Sequence, residues 1–479
     1  MSTNKTFFGH PVQLASLFHI ELWERFSFYG LQGIVMMYLY FEASKGGLGI
    51  DKSLAGGIIG AYGGSVYLST ILGAWLADRL WGAEKTLFIS GIVVMCGHIA
   101  LALIPGLSGL LVGLPLIALG SGGVKASAST MVGSLYEKPE LRSLRDAGFS
   151  IFYISVNIGS FFGPLLTGLL QENIGFHYGF GAAAIGMAFG LSLYTLKRKA
   201  LPATPAPNPL LSSEKKRAFT ILIGGAALII GAVYSNLLNV ENFSTVLLSC
   251  EIIAILIYFF RFFSSKQVSA ENKGYIVAYI PMFAAVALFV AIYMQLYTTA
   301  TVYFEETVDR NLGGFVIPVS WKDSVQSLWV VLFSGLFALL WTKLGKRQPK
   351  TPLKFAMGLA LLGCAFVVFV PYLTSGVAMP VLVFALVLLA ITFGELLLAP
   401  IATSFVTKIA PPAFKTQMVA LNFLAYAIGF TVGGLLFKNG YNAEAPANYY
   451  WLLFGLGVGA AVLLVLLVPA LNKRLKGID

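Results

Sequence analysis

Charged residues are scarce in this chain: Asp, Glu, Lys and Arg make up only 11% of its 479 residues. Hydrophobic residues make up 57%, and the mean hydropathy is +0.81. This composition excludes a soluble domain and indicates a polytopic membrane protein. The net charge of +11 would suggest nucleic-acid binding in a soluble protein, but here the basic residues fall in short loops between apolar runs. We therefore expect no nucleic-acid partner.

Cysteine is also rare, and Cys96, Cys250 and Cys364 each lie inside an apolar run. That placement predicts neither disulfides nor a metal site. A membrane-embedded enzyme acting on a lipid-linked substrate would need a nucleophile-and-base set or a metal cluster. The sequence contains no H-E-x-x-H, no G-x-S-x-G and no paired Cys. We predict a protein that is not an enzyme and needs no cofactor.

Fourteen apolar runs are long enough to cross a bilayer, since about 20 apolar residues suffice. Six runs form a first block, two follow, and six form a second block. Their approximate bounds are 11–41, 53–80, 86–105, 108–133, 147–171, 175–196, 218–239, 243–263, 275–303, 323–343, 352–373, 379–408, 413–437 and 448–471.

A proline-rich segment flanked by basic clusters follows the first block, and such a segment cannot continue a helix. We therefore predict an N-terminal six-helix bundle (1–196), a cytoplasmic linker (197–217), two extra transmembrane helices with the following loop (218–274), and a C-terminal six-helix bundle (275–479). The fold class is all-α. Two blocks of similar length suggest pseudo-symmetric halves around a central cavity, as in rocking transporters.

The basic residues of the loops predict the orientation of the chain. With the N-terminus inside, most Lys and Arg fall in inside segments, as the positive-inside rule requires. An even number of spans then leaves both termini in the cytoplasm. The basic residues assigned to outside loops are Lys45, Lys52, Arg310, Lys322 and Lys438.

The first span contains three charged residues, Glu21, Glu24 and Arg25. At about 100° per residue, Glu21 and Arg25 lie roughly 40° apart and Glu24 roughly 60° to the other side, so all three share one sector of the helix. Ionisable groups at membrane depth usually mark an ion or substrate path. A buried Glu21–Arg25 pair that only fixes helix packing is the alternative, but a pair needs two charges and there are three.

Lys125 in the fourth span is a second cation at membrane depth. Two buried cations need an anion between them, which would be Glu21 or Glu24 at rest, or a substrate carboxylate. The alternative is that Lys125 extends toward the inner surface. In the second block, Glu395 is the only carboxylate of its span. One negative group there and two positive groups in the first block would suit a zwitterion.

Several motifs resemble those of one family, the proton-dependent oligopeptide transporters of the major facilitator superfamily. Residues 21–30, ELWERFSFYG, resemble its E-x-x-E-R-F-x-Y-Y-G motif, and residues 73–85, GAWLADRLWGAEK, resemble the superfamily's G-x-x-x-D-R loop. Residues 149–164, FSIFYISVNIGSFFGP, resemble F-Y-x-x-I-N-x-G. The segment from Gly394 through Pro400 to Ser404 and Pro411 is also similar, and the extra helical pair is similar to that of bacterial members.

The resemblance implies a fold of two six-helix bundles plus two extra helices, and a substrate of two or three amino-acid residues. It places Arg25 and Lys125 near the peptide carboxylate and Glu395 near the amino group. Glu21 and Glu24 would take part in proton coupling, together with the two cations that they release. The residues expected to line the site are Tyr29, Tyr67, Asn157 and Ser404, and the tyrosines could instead be core residues.

Some positions depart from the family pattern. Many members carry an Arg where this chain has Gln32 and a Glu where it has Met294, so both partners of one expected ion pair are replaced. Their joint absence is coherent, because losing only one would strand a charge. The family's Asn-Pro of the eighth span is replaced by Gln326 and Ser327, and a Trp of the eleventh by Asn422.

We therefore predict a proton-coupled importer of di- and tripeptides in the bacterial inner membrane. It would be a multi-pass monomer in contact with lipid that works by alternating access. One alternative is a transporter of the same fold for another anion or zwitterion, such as nitrate or a modified amino acid, with or without proton coupling. A membrane enzyme and a pure scaffold are the others.

Overall fold

The computed structural model describes residues 6–475, which are almost entirely helical. The α-helices are α1 (Gln13–Tyr40), α2 (Lys52–Leu76), α3 (Ala83–Leu103), α4 (Gly106–Ser134), α5 (Arg145–Asn173), α6 (Phe176–Lys197), α7 (Ser212–Tyr234), α8 (Phe243–Ser264), α9 (Ala270–Tyr293), α10 (Thr299–Glu306), α11 (Trp321–Leu344), α12 (Thr351–Val367), α13 (Val370–Ser375), α14 (Val381–Ile409), α15 (Lys415–Gly440) and α16 (Pro446–Arg474).

Short 3-10 segments and strands connect these helices. The 3-10 segments are Ala43–Lys45, Pro139–Leu144, Arg198–Ala200, Met294–Leu296, Gly345–Arg347 and Pro412–Phe414, and Ala77–Trp81 is a π-helix. The strands are β1 (Thr6–Phe7), β2 (His10–Pro11), β3 (Val308–Asp309), β4 (Asn311–Leu312), β5 (Phe315–Val316) and β6 (Met379–Pro380). Strand β1 pairs with β2 and β4 with β5, both antiparallel, and β3 pairs with β6 in parallel.

Thirteen helical segments of the described chain are long and apolar enough to cross a membrane. The remaining predicted span, which is the first along the chain, is helix α1. Its 28 residues measure about 42 Å at 1.5 Å per residue, but it contains three charged residues, Glu21, Glu24 and Arg25, and is not among the thirteen. The predicted all-α class is confirmed.

Two predicted spans are interrupted. Helix α9 ends at Tyr293, and α10 begins only at Thr299, because Thr298 leaves the helical conformation and its hydroxyl donates a 2.9 Å hydrogen bond to Gln295 Oε1. Helix α12 ends at Val367, and the next helix carries Pro371 in its first turn, where the missing N–H is tolerated. Neither interruption contains a charged residue, so the apolar runs counted in the sequence pass through both.

Internal contacts divide the chain into two units. Unit 1 is Met1–Gly49 with Ser65–Phe243, and unit 2 is Ile50–Gly64 with Ser244–Asp479. The four segments predicted from the sequence stay a prediction.

In unit 1, helix α1 contacts both α5 and α6. Ser27 Oγ donates a 2.7 Å hydrogen bond to Ala183 O, and Thr167 Oγ1 donates one of 2.9 Å to Gly30 O. The absence of a side chain at Gly30 lets α5 approach, because a Cβ atom there would collide with the methyl group of Thr167. Small residues and interhelical hydrogen bonds therefore hold α1, which is how apolar helices associate in a membrane.

In unit 2, α9 contacts α15, while α12 contacts α14 and α16. The first half of α2 lies against α15, with Gly60 directly on the backbone of Gly434. Helix α8 is attached through Glu251, whose Oε1 accepts a 2.9 Å hydrogen bond from the Thr431 hydroxyl.

Candidate functional site

The three charged side chains of α1 form one buried cluster in unit 1. Arg25 Nε lies 2.7 Å from Glu21 Oε1 and 3.1 Å from Glu24 Oε2. The exposed fractions are 4% for Glu21, 0% for Glu24 and 5% for Arg25. The guanidinium thus faces two carboxylates at once, and more than a simple i,i+4 pair is present.

Lys125 of α4 brings a second positive charge to this cluster. It interacts electrostatically with Arg25, Glu24 and Glu21. Its Nζ lies 4.4 Å from the ring centroid of Tyr67 and 5.2 Å from that of Phe28, which are cation–π distances. Lys125 is half-buried, whereas the three charged residues of α1 are buried. The accessible charge of the cluster is therefore the ammonium.

Glycines in α4 allow Lys125 to lie this close. A Cβ atom at Gly122 would meet Ser69 of α2, and one at Gly123 would meet Ser90 of α3. Ser69 Oγ also donates a 2.6 Å hydrogen bond to Ala118 O of α4. These contacts draw α4 against α2 and place Lys125 over the Tyr67 ring.

The other predicted site residues of unit 1 are Tyr29 on α1 and Asn157 on α5. Tyr29 is half-buried and interacts with the charge of Arg25. Asn157 is half-buried, and its Nδ2 donates a 2.9 Å hydrogen bond to Tyr153 O one turn earlier in α5. Phe28 was not predicted as a site residue, although it supplies one of the two rings under Lys125. Its place directly before Tyr29 in the motif was the available signal.

The negative and positive side-chain charges of the cluster are equal in number. When all groups are ionised, the charges of Glu21 and Glu24 offset those of Arg25 and Lys125. Buried charge is tolerated only when it is compensated. The four charges of the cluster therefore compensate one another.

Glu395 of α14 is the centre of a second cluster, in unit 2. Its Oε2 accepts hydrogen bonds from Tyr293 Oη at 3.1 Å and from Gln326 Nε2 at 2.8 Å. Gln326 Nε2 also donates to Tyr293 Oη at 3.0 Å. Both donors are neutral. The described part of the chain contains no ion pair of Glu395 within 4.0 Å, so the carboxylate is hydrogen-bonded but not neutralised.

Ser404 is the other predicted site residue on α14. The two are nine residues apart, about 13 Å along the helix axis, and Ser404 is exposed. Its role stays a prediction. Sequence reasoning missed Tyr293 as a member of the Glu395 cluster, and treated Gln326 only as a departure from the family pattern.

Lys322 is predicted to lie in an outside loop, and its placement in a loop is wrong. The residue lies in the first turn of α11 with 2% of its surface exposed. Its Nζ donates to Asp323 Oδ1 at 2.6 Å and to Leu296 O at 2.9 Å. The predicted span began at residue 323, one residue too late, and the charges of Lys322 and Asp323 neutralise each other inside unit 2.

The positions of the replaced family ion pair are both buried. Gln32 has an exposed fraction of 7% and Met294 of 0%. Within residues 6–475, no group of three or more His, Cys, Asp or Glu is arranged to hold a metal ion.

Comparison with known proteins relates this geometry to one family. Residues 84–452 match the POT family. The chain is 41% identical to the uncharacterized transporter YclF of Bacillus subtilis (strain 168), with 99% of this chain and 97% of that protein covered. It is 38% identical to the di-/tripeptide transporter of Lactococcus lactis subsp. cremoris, with 98% of each covered.

Solved structures give the same result. A crystal structure of a mutant peptide transporter POT in complex with alafosfalin matches with a TM-score of 0.93 at 39% identity, covering 99% of this chain and 98% of that one. A POT family transporter in complex with 5-aminolevulinic acid matches with a TM-score of 0.91 at 33% identity, covering 98% and 99%.

Proposed function

Since the chain belongs to the POT family, we propose that it is a secondary transporter that carries di- and tripeptides across a membrane together with protons. The membership confirms the resemblance seen in the motifs, and the likeness to solved structures confirms the major facilitator fold. The chain is a multi-pass membrane protein and a transporter. The enzyme alternative is thereby set aside.

The observation that carries this proposal is the balanced charge around Arg25. A peptide carboxylate is attracted to the half-buried Lys125 ammonium, but its charge would leave the cluster negative. A proton on Glu21 or Glu24 restores the balance and frees Arg25 or Lys125 to hold the carboxylate. Peptide and proton therefore favour each other's binding, which is the reciprocity that coupled transport needs.

The amino group of the peptide would pair with Glu395. The two hydrogen-bond donors to Oε2 orient the carboxylate without neutralising it, so that an ammonium can supply the missing positive charge. We assign lining roles to Tyr29, Tyr67, Asn157 and Ser404 in the same proposal. One zwitterionic peptide and one proton would then leave both clusters neutral.

Coupled transport further requires that inward-open and outward-open states differ in their affinity for peptide and proton. We propose alternating access for that reason. The pattern of loop charges supports cytoplasmic termini and a bacterial inner membrane, and we propose a monomer surrounded by lipid. Exposed apolar residues along α7, such as Leu228 and Ile230, support contact with lipid.

The alternative substrate is another small zwitterion or anion. A similar transporter was solved with 5-aminolevulinic acid, which also carries an amino group and a carboxylate. The same charged clusters would suit such a molecule, so substrate competition must separate the two functions.

Counterflow exchange tests the proposal. Liposomes with the purified protein are loaded with unlabelled dialanine and given labelled dialanine outside. We expect exchange that unlabelled di- and tripeptides inhibit and that alanine, nitrate and 5-aminolevulinic acid inhibit weakly. Inhibition by one of the latter but not by dipeptides would favour the alternative.

A pair of lysine variants tests the site. Lys125→Ala should reduce exchange at least tenfold, because the accessible cation is lost. Lys216→Ala removes the same charge from an exposed turn of α7 and should exchange like the wild type. Wild-type exchange by the Lys125 variant would reject the role of this residue.

A further inference from the structure

A polar cavity lies in unit 1, at the end of α4 and the beginning of α5. Its volume is about 1070 Å³. The residues that line it are Ser129, Thr130, Gly133, Ser134, Tyr136, Glu137, Arg142, Arg145 and Phe149. We call it the arginine cavity. None of the predicted site residues lines it, and it has no part in the peptide binding proposed above.

The charge of the arginine cavity is positive. Arg142 and Arg145 contribute two guanidinium groups, and Glu137 is the single carboxylate of the lining. Arg142 Nε donates a long hydrogen bond of 3.4 Å to the backbone carbonyl oxygen of Glu137. This contact does not involve the Glu137 carboxylate. The guanidinium of Arg145 lies 5.8 Å from the centroid of Phe149, which orients it.

Neutral hydroxyl groups complete the lining. Burial raises the pKa of the Tyr136 hydroxyl, and this hydroxyl lies at a hydrogen-bonding distance of 2.9 Å from His10 Nδ1. Ser129 and Thr130 are exposed to the cavity side of α4. Two guanidiniums among hydroxyls form a site for a carboxylate or another small oxyanion.

Two helix faces run from the depth of Lys125 and Asn157 toward the arginine cavity. On α4, residues Lys125, Ser129 and Gly133 follow one another at four-residue steps, each of which turns the direction by only about 40°. On α5, Asn157, Tyr153 and Phe149 do the same, and Tyr153 is 52% exposed although it is a large aromatic residue.

We propose that the arginine cavity is a second binding site for the peptide carboxylate, which Arg145 and Arg142 accept after it leaves Lys125. This inference rests on the proposed function. Gly133 lies eight residues beyond Lys125, about 12 Å along α4. A dipeptide is at most about 7 Å long, so one carboxylate occupies the two sites in succession.

A second carboxylate site would ease release. Without it, a carboxylate leaving the charged cluster loses its counter-ions in a single step, and that separation of charge is costly at membrane depth. The arginine cavity offers two cations outside the cluster, and Lys138, Glu140 and Asp146 of the same region are exposed and outside its lining.

Transport measured separately from the two sides tests the inference. The double variant Arg142→Gln with Arg145→Gln is reconstituted in one known orientation. Half-saturating dialanine should rise about tenfold for transport that starts at the arginine cavity, the effect of one lost charge-assisted hydrogen bond. It should change less than twofold from the other side, which also shows that the variant is folded.

Control variants sharpen the test. Arg217→Gln removes a charge from an exposed position of α7 and should leave both sides unchanged. Arg145→Lys keeps the charge but loses the two-pronged geometry and should lie between the wild type and Arg145→Gln. Equal affinities of the double variant and the wild type on both sides would overturn the inference.

Two other outcomes are distinguishable. If the defect follows the fraction of anionic lipid in the vesicles and not the peptide concentration, the cavity binds a lipid headgroup and the inference is wrong. If the wild-type protein exchanges no dialanine at all, the proposed function fails before the arginine cavity is tested.

Discussion

The side-chain amide of Gln326 donates a 2.8 Å hydrogen bond to Glu395, the only carboxylate of its helix. The same amide donates to Tyr293 Oη, which donates to the same carboxylate oxygen. A residue that differs from the family pattern thus orients the group to which we assign the peptide amino end. Gln326 is a positioning residue in this account.

Replacing Gln326 should weaken peptide binding and leave folding intact. Gln326→Ala removes one of the two donors to Glu395, and we expect half-saturating dialanine to rise about three- to tenfold in counterflow exchange. Gln267→Ala, in an exposed loop of unit 2, is the matched control. An unchanged half-saturation value would show that Gln326 does not position Glu395.

Removing one carboxylate of the α1 cluster should uncouple transport. Glu24→Gln places an uncharged side chain permanently at this position, as a protonated Glu24 would. Counterflow exchange, which moves no net protons, should therefore persist, whereas accumulation driven by a pH gradient should fall at least tenfold. Glu444→Gln, in an exposed loop, should retain both.

The same cluster predicts how peptide affinity depends on pH. Because a bound carboxylate must be accompanied by a proton, affinity should fall as the pH rises. In Glu24→Gln this slope should be reduced, since the proton is no longer needed from solution. Binding titrations of dialanine at several pH values measure the slope. A variant that keeps the wild-type slope would assign the proton to another group.

Close contact between α2 and α15 should contribute to the stability of unit 2. A side chain at Gly60 would collide with the backbone of Gly434 and Phe430, whereas Gly225 of α7 has no atom within 4 Å of an added Cβ. We expect Gly60→Leu to lower the thermal unfolding temperature by several degrees and Gly225→Leu to leave it unchanged or raise it. Equal unfolding temperatures would contradict the close contact.

The buried hydrogen bond between Glu251 and Thr431 should attach α8 to α15. Thr431→Val removes the donor with little change of shape and leaves the Glu251 side chain buried without that partner. We expect a loss of about 1 kcal/mol in the free energy of unfolding, measured in detergent. Thr245→Val, near the start of α8, is the control, and equal stability of the two variants would show that the contact contributes nothing.

Much of this protein could be predicted from its sequence, because apolar length and loop charge are strong signals in a membrane. Thirteen of the fourteen predicted spans are helical segments long and apolar enough to cross a membrane, and the cluster around Arg25 followed from the charged residues of α1. The interruption at Thr298 could not be predicted, since a side-chain hydrogen bond to Gln295 changes no hydropathy value. The burial of Lys322 was missed because ion pairing with Asp323 depends on the fold.

The Glu395 cluster marks a different limit. Glu395 is visible in the sequence as an isolated carboxylate, but its partners come from α9 and α11 and are neutral residues. No spacing rule relates Tyr293 and Gln326 to a residue on a distant helix. The arginine cavity is similar, because the helix ends that form it meet only after folding.

Accumulation of labelled dialanine in liposomes under an imposed pH gradient distinguishes proton-coupled peptide transport from uncoupled equilibration. The wild-type protein should concentrate the peptide on the alkaline side above the external level, and collapse of the gradient by a protonophore should abolish this. Lys125→Ala should show no accumulation, and Lys216→Ala should match the wild type. Equilibration of the wild type without accumulation, or accumulation by the Lys125 variant, would contradict the account.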